Sequence, residues 1–248
     1  MKIKGTVENV PCRLMVLSLL VAAPFISPGC ARSTDGQAPV VLSIEGIKGK
    51  IVCVGDSLTA AEGVPREQGF AAKLARRSNQ ITVIQQGRSG WPTTAYLRRM
   101  DDVLEALPTD AGVIVIQLGA NDLRVDGHSD ETVARTVANM GRIIDVFRAH
   151  SPEAKIVVMT PPTMIPEKLT PRLRQAGFGP HSPPVLGRLS DAYRDLAASK
   201  NCGFIDLFPV LANGDTLDGA HPNDSGHTKI ADEIWHRLTG GPRHGAKP

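Results

Sequence analysis

Short apolar runs alternate with longer amphipathic segments along most of this chain. The runs fall at 51–54, 81–84, 113–116, 156–159 and 204–205. They are rich in β-branched residues and bounded by glycine, proline or polar turns, the pattern of strands buried on both faces. Between them, the spacing predicts helices near 66–78, 93–107, 130–149, 185–200 and 224–238. The clearest is 130–149, where Val133, Val137, Met140, Ile144 and Phe147 form one stripe. Alternation of this kind predicts a three-layer α/β/α sandwich around a roughly five-stranded parallel sheet, flavodoxin-like in the general sense. The proline-rich stretch 161–184 breaks the rhythm. It reads as an extended loop over the strand ends.

The two ends of the chain read differently. Lys2, Lys4 and Arg13 precede an apolar run from Leu14 to Phe25. That run is short for a bilayer span and fits the core of an export signal over 1–29. Ser27-Pro28-Gly29 before Cys30 resembles a bacterial lipobox, with Ser27 where leucine is usual. Plain secretion is the alternative. Residues 30–46 read as a linker, 47–240 as the folded domain and 241–248 as a tail. The expectation is an exported, monomeric protein, either secreted or held at the cell envelope through a lipid on Cys30. That anchor would be its sole link to a membrane.

Composition narrows the function classes. Of 248 residues, 42% are hydrophobic and 21% charged, the balance of a globular domain. The net charge of +3 comes with no basic stripe, which argues against a nucleic-acid partner. Cys53 and Cys202 sit beside apolar runs and read as small buried hydrophobes, though an exported chain could pair them. The spacing of histidines and cysteines carries no metal signature, and no cofactor is expected.

Four short blocks carry candidate chemistry. Gly55-Asp56-Ser57-Leu58 follows the first strand, at the sheet edge where parallel folds bind ligands. Ser57 there suits a nucleophile, but equally a helix cap; Asp56 shares the ambiguity. In Asp218-Gly219-Ala220-His221, the spacing lets a carboxylate hold the imidazole Nδ1 proton, leaving Nε2 to accept one from serine. A solvated surface turn is the plain alternative. Arg88-Ser89-Gly90 and Gly119-Ala120-Asn121-Asp122 each follow a strand. Gly90 would offer a backbone N–H and Asn121 an amide, the donors that an oxyanion hole requires. Turn and cap roles would explain each singly.

Taken in order, these blocks resemble the SGNH hydrolases, also called GDSL esterases and lipases, over roughly residues 50–238. The resemblance implies Ser57 as nucleophile, His221 as general base and Asp218 as its orienter. The implied oxyanion donors are the Ser57 and Gly90 N–H groups and the Asn121 amide. Gly87 is a rival to Gly90, because Gln86-Gly87-Arg88-Ser89-Gly90 departs from the usual second block. The proline-rich insert is similar to that of arylesterase-like members. The implied activity is hydrolysis of a small-molecule, glycan or lipid ester through an acyl-serine. Acyl transfer or thioester cleavage at the same site, or a silent envelope-binding protein, are the alternatives.

Overall fold

The computed structural model describes residues 49–240. The export segment, Cys30, the linker and the tail therefore lie outside the described residues. Five parallel strands form one sheet: β1 (Gly49–Gly55), β2 (Ile81–Gly87), β3 (Ala111–Gln117), β4 (Lys155–Met159) and β5 (Gly203–Ile205). Their order is β2-β1-β3-β4-β5. The chain thus winds one way from β1 to β2 and the other way from β3 onward. The crevice between the carboxyl ends of β1 and β3 is where ligands bind in such sheets.

The period-two alternation of the strands divides the core. Val52, Val54, Ile114, Ile116, Ile156 and Val158 face one layer, which includes α5 (Asp130–His150) and α7 (Ser182–Ser199). Ile51, Cys53, Val113, Val115, Val157 and Met159 face the other, formed by α1 (Phe70–Ala75) and α8 (Asp224–Thr239). Both sheet faces are covered, which is why the strands carry no polar face. Cys53 and Cys202 are free and buried. Burial pushes the Cys53 thiol up to about 12, so it is an inert core group.

Four helical details differ from the periodicity. The segment near 66–78 is a short 3₁₀ turn followed by α1, with Gly69 between them. The segment near 93–107 is two helices, α2 (Thr93–Arg98) and α3 (Met100–Glu105), because Arg99 leaves the helical region at φ −118°, ψ 33°. Residues 161–184 are not wholly irregular. They hold a 3₁₀ turn at Pro166–Lys168, the helix α6 (Pro171–Gln175) and the first turn of α7. Pro171, Pro183 and Pro184 fall in first helical turns, where a missing N–H costs nothing. A further helix, α4 (Ala120–Asp126), begins inside the third chemical block.

Candidate active site

Each chemical block lies just beyond the carboxyl end of its strand or on the loop before α8. After β1 the chain coils tightly. The Leu58 N–H donates to Asp56 Oδ1 (3.0 Å), the Ala60 N–H to the Asp56 carbonyl (3.0 Å) and the Glu62 N–H to the Ser57 carbonyl (2.9 Å). No regular helix starts here, so Ser57 caps nothing; its hydroxyl is instead directed to His221.

The loop before α8 delivers the other two groups. Buried Asp215 anchors its base, accepting from the Ala212 N–H, Ser225 and Lys229. The Leu217 N–H donates to the His221 carbonyl (2.8 Å) and closes a tight turn. At its tip, Asp218 Oδ1 accepts from the Ala220 and His221 N–H groups (3.0 and 2.8 Å). Its Oδ2 lies 2.7 Å from His221 Nδ1, and His221 Nε2 lies 3.1 Å from Ser57 Oγ. An ionised carboxylate can only accept, so Nδ1 carries the proton and Nε2 is left to accept from the serine.

Electrostatics reinforce that arrangement. Burial alone would raise the Asp218 carboxyl, but hydrogen bonds from the His221 ring and backbone hold it at about 2. Burial would lower His221; Asp218, followed by the charges of Glu62 and Asp56, outweighs it and raises the imidazole above its ordinary value. Asp56 is enclosed under the nucleophile. Desolvation lifts it to about 6, against the Leu58 N–H and the charge of His221, which pull it down.

The oxyanion candidates also converge. Arg88 to Trp91 is a β-turn closed by the Trp91 N–H on the Arg88 carbonyl (3.2 Å). Gly90 sits at its third position with φ 76°, where glycine is favoured. Asn121 is in the first turn of α4 and buried. The Ser57 N–H, the Gly90 N–H and the Asn121 carboxamide make no hydrogen bond among the described residues. All three residues line the same cleft as His221 and Asp218. Gly87 does not line it. A Cβ there would stand 2.1 Å from the Ala60 N, so this glycine serves close packing.

That cleft has a volume of about 690 Å³. The 161–178 segment supplies one wall, with Pro161, Pro162, Met164, Leu173, Ala176 and Phe178. The Ile165 N–H donates to the Gly219 carbonyl (2.8 Å), tying this wall to the Asp218 turn. Sequence reasoning missed Glu62, Ser89 and Arg124, which also line the cleft. For Arg124 a signal existed: it is three residues after Asn121, on the same face once α4 is recognised.

The model of the GDSL-like lipase/acylhydrolase family matches residues 53–229. The chain belongs to that family. The hydrolase is 27% identical over 230 residues to GDSL lipase Rv0518 of Mycobacterium tuberculosis, spanning 88% of this chain and 91% of the relative. It is 24% identical over 210 residues to esterase TesA of Pseudomonas aeruginosa, spanning 81% and 93%. Two solved structures share its fold. A carbohydrate acetylesterase from Sinorhizobium meliloti has TM-score 0.61 at 22% identity, over 75% of this chain and 98% of that one. The M. smegmatis aryl esterase has TM-score 0.60 at 21% identity, over 77% and 100%. The hydrolase is an SGNH-type enzyme acting on carboxylic esters.

Proposed function

We propose that this hydrolase cleaves its ester through an acyl-serine at Ser57, with His221 as general base and acid and Asp218 as its orienter. The observation that carries the reading is the unbroken hydrogen-bond chain Ser57–His221–Asp218 inside a cleft. Ser57 Oγ attacks the carbonyl carbon as its proton passes to His221 Nε2. The tetrahedral oxyanion takes hydrogen bonds from the Ser57 and Gly90 N–H groups and the Asn121 amide, all three unspent in the resting site. His221 then gives its proton to the leaving alcohol as the C–O bond breaks. Water attacks the acyl-serine by the same steps and restores the hydroxyl. The substrate is a small-molecule or glycan ester, its acyl part lying against the apolar wall of the 161–178 segment. Relatives of similar sequence are described as a lipase and an esterase, and neighbours of similar fold as a carbohydrate acetylesterase and an aryl esterase.

The test is Ser57→Ala assayed on chromogenic acyl esters. We expect a loss on the order of 10⁶ in kcat, as in other serine triads, with unchanged circular dichroism. Hydrolysis near the wild-type rate would remove Ser57 from the nucleophile role.

The reading extends to the whole chain in two respects. The catalytic groups and oxyanion donors all lie within residues 55–221 of this one chain, so the proposed reaction needs no second copy, and a monomer is the simplest form. The basic start, the apolar run from Leu14 and Ser27-Pro28-Gly29-Cys30 support export with a lipid on Cys30. Mass spectrometry of the mature N-terminal peptide tests the anchor: a diacylated Cys30 in membranes is expected, and an unmodified N-terminus in the medium alone would mean secretion.

A further inference from the structure

Arg124 lines the cleft, yet the reaction above gives it no task. Its hydrogen bond is specific. Nη2 donates to the Gly90 carbonyl at 2.8 Å. The Gly90–Trp91 peptide is held on its other side by the Trp91 N–H on the Arg88 carbonyl (3.2 Å), and its carbonyl by Arg124. Gly90 has no side chain, and a Cβ placed on it would meet nothing within 4 Å, because the cleft lies open there. The turn is tied at its start, where the Arg88 N–H donates to the Gly55 carbonyl (2.7 Å). Beyond its far end, Asp122 accepts from the Thr93 N–H (3.0 Å) and hydroxyl (2.5 Å). Between these ties, Gly90 combines a left-handed φ with the widest backbone freedom of any residue.

The start of α4 therefore does three things at once. Asn121 offers an amide to the cleft, Asp122 clamps the start of α2, and Arg124 clasps the Gly90 carbonyl. The clasped carbonyl is one Cα away from the Gly90 N–H, so holding it restrains the direction of that donor. A donor aimed at developing charge stabilises the transition state only if its geometry is set beforehand, and small misplacements are costly.

We propose that Arg124 is a positioning residue for the oxyanion hole, acting through Gly90 rather than touching substrate. This rests on the acyl-transfer reading given above. A guanidinium suits the task because it stays charged at all working pH and offers several donors in a fixed plane. The rival role for a cation in this position is recognition of an anionic ester, and the two differ in what they change. Positioning acts on kcat for every ester; recognition acts on KM for charged esters alone.

The experiment compares wild type with Arg124→Ala, Arg124→Lys, Asn121→Ala and the double variant Asn121→Ala/Arg124→Ala. The substrates are neutral aryl acetate and butyrate and an aryl ester of succinic acid that bears a free carboxylate. For Arg124→Ala we expect kcat to fall roughly 10- to 100-fold on all three esters, the scale of an ångström-level misplacement. KM should stay within about twofold, since the ground state is little affected. Arg124→Lys should keep an intermediate kcat, and added guanidinium ion should restore part of the alanine variant's rate. The Asn121→Ala and Arg124→Ala losses should be less than multiplicative together, because both act on one oxyanion. An unchanged kcat in Arg124→Ala, or a KM rise confined to the succinate ester, would overturn the proposal. Ser57→Ala keeps the two readings apart. Activity surviving there sinks the acyl-serine reading, whereas an inactive Ser57→Ala beside a fully active Arg124→Ala sinks only this one.

Discussion

His221 sits between two opposing influences, and the balance sets the pH range of the enzyme. Burial favours the neutral ring; the Asp218 carboxylate, with Glu62 and Asp56 behind it, favours the cation and prevails. The base must be unprotonated to accept from Ser57, so kcat/KM should fall as pH drops through a pKa above the ordinary 6.5. Asp218→Asn removes the largest of the stabilising partners. The acid limb should then move to lower pH, while the plateau drops by up to about 10⁴ because an amide no longer enforces the Nδ1–H tautomer. A pH–rate profile of both proteins checks this; a limb that stays in place would mean that Asp218 does not control the ionisation of His221. At this scale the sequence was legible in types and order. Strand-end position and spacing marked Ser57, Gly90, Asn121, Asp218 and His221 as candidates with cap or turn alternatives, and the resemblance to the SGNH hydrolases supplied their roles. The clasp of Arg124 on Gly90 was not legible. It joins residues far apart in sequence, and although the spacing from Asn121 points Arg124 toward the cleft, nothing marks Gly90 as its partner.

At the scale of elements, the site depends on how α4 is set against the sheet. Gly119, its N-cap, has φ 120°, and a Cβ there would stand 2.8 Å from Leu189 Cδ2 and 2.9 Å from the Tyr193 hydroxyl. Both neighbours are fully buried on α7, so neither can retreat. Gly119→Ala combines backbone strain with overpacking, and we expect a loss of about 3 kcal/mol in chemical denaturation. Residual activity should fall as well, since Asn121 and Arg124 ride on the displaced helix. An alanine variant of wild-type stability would show that α4 tolerates movement. The strands were readable because burial on both faces leaves an uninterrupted apolar run. The helices were less so where their causes are tertiary. α4 has seven residues, too few for a periodic stripe, and starts with a glycine that reads as a turn. The first turn of α7 hides behind Pro183 and Pro184, which resemble a loop in sequence yet fit a helix start. The break at Arg99 divides a continuous amphipathic pattern that no breaker residue marks.

At the scale of the whole molecule, two buried groups pull acid stability in opposite directions. His227 of α8 is fully buried, its Nδ1 accepting from the Phe70 N–H (3.2 Å) where α1 begins, and its Nε2 has no partner. Burial first, then Lys73 and His221, lower it to about 4, with Asp224 opposing. The unfolded chain would protonate this ring near 6.5, while the folded one refuses until about 4. Stability linked to His227 is therefore present above pH 6.5 and is lost as pH falls through that window, to a total of about 3 kcal/mol. Asp56 behaves oppositely. Its folded pKa of about 6 exceeds the unfolded value, so its penalty at neutral pH is relieved as pH falls below 6. The two contributions offset each other between pH 6 and 4, and the wild-type curve should be flatter there than either group alone would make it. His227→Gln separates them. The variant should be less stable than wild type at pH 7.5, because the contact between α1 and α8 is weakened. That deficit should shrink by about 3 kcal/mol by pH 4, as the wild type loses what the glutamine never had. Urea denaturation of both proteins across that range measures the difference directly. A deficit that stays constant with pH would mean that His227 titrates alike in the folded and unfolded chain, and that its burial between the two helices carries no acid sensitivity.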